Sequence, residues 1–215
     1  MKLWDVEGGS GMAEAGSGAA GDLTRLTTGA WDPHHSRELA TADAGNVKGW
    51  DLRTMKTTHT IDGAHAHHIR DIDYNPNRTY VVVTSGDDCK IRFWDLRKGG
   101  AAGPLKTLTG HTHWVWSSKF NRFHDQLVLS SGSDNVVNLW RVSSISSAPL
   151  LEMDGESGDS KATEDTLVRS FDVHEDSVYS TSWSASDAWI FASLSYDGRV
   201  AVNRVPDSEK YKILL

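Results

Sequence analysis

The chain has 215 residues, of which 38% are hydrophobic and 24% are charged, and its formal net charge is −7. This acidic balance, without any basic run, argues against nucleic acid and anionic membrane surfaces as partners. The single cysteine, Cys89, excludes an internal disulfide framework, and no apolar stretch approaches the ~20 residues that direct membrane insertion needs.

In chain order, the first predicted element is a short strand at residues 1–6, MKLWDV. The Gly/Ala/Ser-rich residues 7–21 cannot pack into a core, which predicts a flexible loop. Over residues 22–215, short β-branched and aromatic runs such as VVVTS and KIRFWD alternate with turn residues, as strands do. Residues 152–166 interrupt this pattern with six acidic residues against one lysine and are predicted to be a disordered acidic insertion.

A repeat runs through the strand pattern. Trp4, Trp50, Trp94 and Trp140 are spaced by 46, 44 and 46 residues, and Asn203 stands at the corresponding place in a final copy. Four strands in ~45 residues are typical of one blade of a WD40 β-propeller. The sequence therefore predicts an all-β WD40 β-propeller.

The repeat predicts four blades, at residues 23–60, 61–108, 109–151 and 167–215. The strand at residues 1–6 lacks the first two strands of its own blade. We therefore expect about four blades of a seven-bladed ring, with residues 1–6 belonging to a preceding blade.

Polar residues recur in register with the tryptophans. Each set combines a loop histidine, a strand hydroxyl, a turn aspartate and a strand tryptophan, which is the hydrogen-bond network of a WD40 blade. The first two sets are His65, Thr84, Asp88 and Trp94, and His111, Ser130, Asp134 and Trp140, and a third contains His174 and Asp197.

This recurrence separates the sets from a hydrolase site, because a catalytic triad does not repeat at one offset in successive blades. The sequence also lacks GxxxxGKS, GxSxG and HExxH motifs. Structural zinc sites usually need cysteine ligands, and only Cys89 is present. We therefore expect no enzyme activity, no cofactor and no metal.

Longer motifs resemble one WD40 family. They are AWDPHH (30–35), GDDCKIRFWDLR (86–97), HTHWVW (111–116) and SLSYDGRVAVNRVP (193–206), and they are similar to motifs of the EARP- and GARP-complex-interacting proteins. The resemblance implies an adaptor that binds EARP and GARP tethering-complex subunits in endosomal recycling and retrograde vesicle traffic. It further implies a cytoplasmic protein, peripheral at the trans-Golgi network and recycling endosomes.

Two groups of side chains are candidates for partner binding, because aromatics and arginines are enriched at binding hot spots. The aromatic candidates are Trp114, Trp116, Trp189 and Tyr196, for which packing between blades is the alternative. Arg53 and Arg97 end two WDxR boxes, which favour a second hypothesis, a substrate receptor that docks on a cullin-RING ubiquitin-ligase adaptor. The alternative for these arginines is that they close their strands with salt bridges.

Overall fold

Antiparallel strands form nearly all of the regular structure. The computed structural model describes residues 2–5, 13–17, 26–147 and 165–214. A first, two-stranded sheet pairs β1 (Lys2–Asp5) with β2 (Ala13–Ser17). Four further sheets follow, with three or four strands each, and we refer to them as blades one to four.

Each blade is a meander of consecutive strands. Blade one contains β3 (Leu26–Trp31), β4 (Glu38–Asp43), β5 (Asn46–Asp51) and β6 (Lys56–Ile61). Blade two contains β7 (Ile69–Tyr74), β8 (Val81–Gly86), β9 (Lys90–Asp95) and β10 (Lys106–Thr109). Blade three contains β11 (Val115–Phe120), β12 (Leu127–Gly132), β13 (Val137–Arg141) and β14 (Thr166–Phe171). Blade four contains β15 (Val178–Trp183), β16 (Ile190–Ser195) and β17 (Val200–Arg204), and α1 (Asp207–Leu214) follows.

The core lies between the blades. The second strands of blades two and three, β8 and β12, are buried along their whole length because neighbouring blades cover both of their faces. The innermost strands of blades two, three and four are β7, β11 and β15. They end in Tyr74, Phe120 and Trp183, and each of these residues packs in a cluster with apolar residues of the preceding blade. The predicted all-β propeller architecture with about four blades is confirmed.

Within the described part of the chain, blades one and four each have a sheet face with exposed hydrophobic side chains. Trp31, which corresponds to Tyr74 and Phe120, is 61% exposed. On blade four, Val200 and Val202 are 63% and 69% exposed. The corresponding residues of blade three, Val137 and Leu139, are fully buried.

Three sequence expectations differ from the structure. Residues 7–21 were expected to form a flexible loop, but Ala13–Ser17 is a strand, because pairing with Lys2–Asp5 satisfies its backbone. Blade three was expected to end at residue 151, yet Thr166–Phe171 pairs with β13 and completes that sheet. Blade four accordingly begins at Val178 rather than at residue 167, and its expected C-terminal portion contains the helix α1.

The acidic insertion predicted at residues 152–166 lies outside the described residues except for Asp165 and Thr166. Asp165 accepts hydrogen bonds from the amide and hydroxyl of Ser144, at 3.0 and 2.6 Å, and pairs with Lys106 at 2.8 Å. The chain therefore leaves β13 and returns to β14 at neighbouring points, so the insertion lies within blade three rather than between blades.

Candidate functional site

The first predicted polar set, which lies in blade two, forms a continuous chain of hydrogen bonds. The indole N–H of Trp94 donates to the hydroxyl of Thr84 at 3.0 Å. The same hydroxyl lies 2.8 Å from Nε2 of His65, whose Nδ1 lies 2.8 Å from Asp88. The structure thus brings all four residues of the predicted set together.

Blade three repeats this arrangement, and blade four keeps part of it. His111 bridges Ser130 at 2.7 Å and Asp134 at 2.9 Å, and Trp140 donates to Ser130 at 2.8 Å. In blade four, His174 lies 2.8 Å from the Ser193 hydroxyl and 3.3 Å from Asp197. Blade one retains a bond from Trp50 to Thr41 at 2.9 Å.

The protonation of the blade-two set suits this geometry. Burial lowers the pKa of His65, which favours the neutral form of the ring. Burial opposes ionisation of Asp88, but hydrogen bonds from His65 and Arg92, together with the charge of Arg92, outweigh it and hold the Asp88 pKa well below its usual range. The Thr84 and Ser130 hydroxyls belong to residues with no exposed surface. A nucleophile in a hydrolase must reach its substrate, and these hydroxyls cannot.

A second polar network joins the innermost strands of different blades. Asp71 of β7 accepts hydrogen bonds from the Ser117 hydroxyl at 3.1 Å, the Ser118 amide at 3.0 Å and Lys119 at 2.9 Å. The Ser117 hydroxyl also lies 3.3 Å from that of Thr181 on β15. This network fixes β7, β11 and β15 side by side.

An aromatic surface lies at one end of these three strands. We call this end of the blades the histidine end, because it carries the loops of His65, His111 and His174. Arg70 is held by Asp87 through two hydrogen bonds of 2.6 and 2.7 Å. Its guanidinium lies 4.7 Å from the ring of Trp116 and 5.4 Å from that of Trp114.

The two candidate tryptophans have different roles in this surface. Trp116 is half-buried, and its indole N–H donates to the Ser133 hydroxyl at 2.6 Å. Trp114 is 41% exposed, with its ring centre 6.2 Å from that of Trp116 in an edge-to-face arrangement. Trp114 therefore presents part of its ring to solvent.

Blade four continues the aromatic surface. Tyr196 is 64% exposed and Tyr179 is 39% exposed, with ring centres 4.7 Å apart. Arg70, Trp116 and Tyr179 each follow the loop histidine of their blade by five residues. They therefore occupy equivalent positions. We define the aromatic rim as Arg70, Trp114, Trp116, Tyr179 and Tyr196.

Sequence reasoning missed Arg70 and Tyr179. Both residues could have been found from their constant offset to the loop histidine, because the repeat spacing defines equivalent positions in successive blades. The residue type at this position changes from Arg to Trp to Tyr, so no repeated letter marks it.

Trp189 lies away from the aromatic rim. It stacks on His124 with ring centres 4.7 Å apart, and Lys210 of α1 approaches its ring at 5.5 Å. It also packs against the core cluster between blades three and four. These contacts are those of a packing residue, which was the alternative for this tryptophan.

Arg53 and Arg97 lie at the opposite end of the blades. Arg97 pairs with Asp95 at 2.8 Å and lies 5.0 Å from the ring of Tyr80, in the connection between β7 and β8. Arg53 pairs with Asp51 at 3.5 Å. Both guanidinium groups are largely exposed while forming these strand-closing salt bridges.

One group of side chains has the composition of a metal site. Asp32, His35 and Glu38 place one potential ligand atom each within 4.8 Å of one another. The closest contact is a 3.0 Å bond between His35 and Asp32, and this hydrogen bond raises the pKa of His35. Asp32 also accepts the amides of His34 and His35. An ion pair that closes the turn after β3 accounts for these contacts without a metal.

A cavity of about 770 Å³ lies beside the innermost strands. Its lining includes Asp73, Lys119 and Arg122 together with the aromatic rings of Trp31 and Trp183. Burial raises the pKa of Asp73 to about 6, although Lys119 and the Phe120 amide favour its charged form.

Within the described residues, no helix has the length and apolar character needed to span a membrane.

Comparison with known proteins places the chain in a family. The model of the EIPR1 beta-propeller family matches residues 1–140, and the WD domain, G-beta repeat model matches residues 165–202. The EARP-interacting protein homolog of Gekko japonicus is 44% identical over 232 residues. The human EARP and GARP complex-interacting protein 1 is 43% identical over 230 residues.

A plant protein is also similar: the WD repeat-containing protein DWA2 of Arabidopsis thaliana is 40% identical over 206 residues, which cover 95% of this chain and 57% of that protein. The gecko and human matches cover 100% and 99% of this chain. The chain spans 59% of the length of each of these two relatives. With a family match over residues 1–140, the chain belongs to the EIPR1 beta-propeller family.

Proposed function

We propose that this chain is a non-catalytic WD40 adaptor that binds the EARP and GARP tethering complexes. The observation that carries the proposal is 43–44% identity, over 99% or more of the chain, to proteins named for interaction with these complexes. The aromatic rim supplies a surface for such binding, because exposed tryptophan and tyrosine rings beside an arginine are typical of binding hot spots.

The proposed mechanism needs no chemical step. The interblade network of Asp71 holds β7, β11 and β15 in a fixed arrangement, so the aromatic rim is ordered before a partner arrives. A preorganised surface loses less conformational entropy on binding than a mobile one. In this proposal the protein is cytoplasmic and peripheral at the trans-Golgi network and recycling endosomes, where it acts in endosomal recycling and retrograde vesicle traffic.

Capture of purified complexes tests the proposal. The 215-residue chain is immobilised and exposed to purified EARP and, separately, to purified GARP. We expect both to be retained, and Trp114→Ala to weaken retention at least fivefold because it removes an exposed ring from the rim. Tyr211→Ala is the matched control, since Tyr211 is 59% exposed on α1. Failure of the wild-type chain to retain either complex would contradict the proposal.

A substrate receptor of a cullin-RING ubiquitin ligase is the second candidate function. The observation that favours it is the exposure of both WDxR guanidinium groups at the end opposite the aromatic rim. The double variant Arg53→Ala with Arg97→Ala separates the two functions in one experiment. Loss of a ligase adaptor with retention of EARP and GARP identifies ligase docking, whereas unchanged recovery of every partner rules it out.

A further inference from the structure

Arginine recognition recurs within this fold. Arg70 is held by the carboxylate of Asp87 and lies against the ring of Trp116. At the opposite end, Arg97 is held by Asp95 and lies over the ring of Tyr80. Each site combines one carboxylate with one aromatic face, which suits a planar guanidinium because it can stack and form paired hydrogen bonds together.

Blade four also presents aromatic rings and a carboxylate, but no arginine in the described part of the chain stacks on these rings. Tyr179 and Tyr196 expose their rings at the position equivalent to Arg70 and Asp87. Among the described residues, no arginine or lysine lies over either ring at the distances seen for Arg70 and Arg97.

A carboxylate loop is fixed beside these tyrosines. The Tyr196 amide donates to the Ser177 carbonyl at 3.1 Å, and the Ser195 hydroxyl donates to the Asp176 carbonyl at 2.8 Å. These bonds fix the backbone of Asp176 and Ser177 beside that of Tyr196. Asp176 is exposed, and one oxygen of its carboxylate accepts the Ser177 amide at 2.6 Å, which leaves the other oxygen for a ligand. Glu175 precedes it with a largely exposed carboxylate that pairs with Arg199 at 2.9 Å.

We propose that Tyr179, Tyr196 and Asp176 bind an arginine side chain of a partner protein. The guanidinium stacks on the tyrosine rings while the Asp176 carboxylate accepts its hydrogen bonds. The formal net charge of −7 adds a long-range attraction for a cationic segment. This inference rests on the proposed protein-binding function and names the chemical group that the aromatic rim recognises.

A pair of synthetic peptides tests the chemistry directly. The full chain is titrated with a labelled (Arg-Gly)4 peptide and with a (Glu-Gly)4 peptide of equal length. We expect binding of the arginine peptide that weakens with salt, and no binding of the glutamate peptide. A (Lys-Gly)4 peptide should bind more weakly than the arginine peptide, because an ammonium group does not stack as a planar guanidinium does. Equal affinity for the arginine and glutamate peptides would overturn the proposal.

Ring-removing and ring-keeping variants locate the binding. Tyr179→Ala with Tyr196→Ala should weaken (Arg-Gly)4 binding at least fivefold, since exposed cation–π contacts contribute severalfold each. Tyr179→Phe with Tyr196→Phe keeps both rings and should bind within twofold of wild type. Asp176→Asn should weaken binding and reduce its salt dependence. Unchanged binding in the double alanine variant, with its thermal unfolding midpoint preserved, would show that the peptide binds elsewhere.

Capture of the two complexes then separates this inference from the proposed function. If the double alanine variant loses EARP and GARP as well as the peptide, the tyrosine pair is the contact, as proposed. Retention of both complexes by that variant overturns the tyrosine contact and leaves the adaptor function standing. If the wild-type chain captures neither complex, the adaptor function fails, and the peptide titration alone decides whether the tyrosine pair binds arginine.

Discussion

Ser130 accepts a hydrogen bond from the indole of Trp140 at 2.8 Å, and its hydroxyl also contacts His111 at 2.7 Å. The next residue, Ser131, is equally buried, but its hydroxyl has no hydrogen-bond partner among the described residues. Two neighbouring, equally buried serines on opposite faces of one strand therefore differ in hydrogen bonding.

We expect Ser130→Ala to lower the free energy of unfolding by about 2–4 kcal/mol, because it leaves the Trp140 indole nitrogen buried without a partner and removes the shorter of the two contacts of His111 Nε2. Ser131→Ala is the matched control and should change stability by less than about 1 kcal/mol, since it removes a hydroxyl without a partner. Urea unfolding of both variants provides the comparison. Equal losses would mean that the polar set adds nothing beyond side-chain packing.

Asp71 should contribute more to stability than any surface ion pair. Asp71→Ala removes the acceptor for three donors of β11, and we expect a loss of about 2–4 kcal/mol with faster hydrogen exchange at the Ser118 amide. Asp71→Asn keeps an acceptor oxygen and should lose less. Arg199→Ala breaks an exposed pair with Glu175 and should cost at most about 0.5 kcal/mol. Unaltered exchange at Ser118 in the alanine variant would contradict the linking role of Asp71.

The raised pKa of Asp73 predicts a pH-dependent effect of its removal. Its folded-state pKa of about 6 lies above the unfolded value of ~3.9. The contribution of this group to stability is therefore fully present below pH ~4 and is lost as the pH rises through about 6. Asp73→Asn cannot ionise, although its side-chain oxygen can still accept the Phe120 amide bond that Asp73 accepts at 2.9 Å.

Unfolding free energies at pH 4.5 and 7.5 measure this effect. The stability of Asp73→Asn relative to wild type should rise by about 1–2 kcal/mol between these two pH values. Asp172→Asn, at an exposed position, serves as the control and should show no comparable change. If the difference in unfolding free energy between Asp73→Asn and wild type stayed constant with pH, the raised pKa of Asp73 would be disproved.

Asn203 stands where the other blades carry tryptophan, and its buried amide nitrogen has no hydrogen-bond partner in the described part of the chain. Asn203→Leu should leave stability unchanged or raise it by about 1 kcal/mol, because it removes a buried donor without a partner. Asn138→Leu should instead lose about 2 kcal/mol or more, since the Asn138 amide bonds both His111 and Ser170. Thermal unfolding compares the pair, and a larger loss for Asn203→Leu would refute the prediction.

The sequence predicts those features that repeat with the same residue type. The histidine, hydroxyl, aspartate and tryptophan of blades two and three occupy constant offsets, so the contacts of His65 and His111 follow from spacing. The aromatic rim depends on a position filled by Arg70, Trp116 and Tyr179, which share a location rather than a chemistry. Residue periodicity therefore cannot identify the rim, and only the folded arrangement of neighbouring strands brings these side chains together.

Strand assignment failed where pairing partners are far apart in sequence. Thr166–Phe171 joins β13 across the acidic segment, and its membership of blade three depends on a backbone ladder that local composition does not encode. The α1 helix was missed because residues 207–214 were counted as part of the fourth blade. Its position depends on a long-range contact, the 2.9 Å ion pair between Arg141 and Glu209.

The contact between Ser144 and Asp165 has a practical consequence for protein engineering. It holds the described residues on either side of 148–164 together, whatever the length of the chain between them. The entropic cost of closing a loop grows only with the logarithm of its length. A fluorescent reporter inserted at this point should therefore leave both the sheet and the proposed arginine-binding surface intact, so that the location of the protein could be followed in living cells.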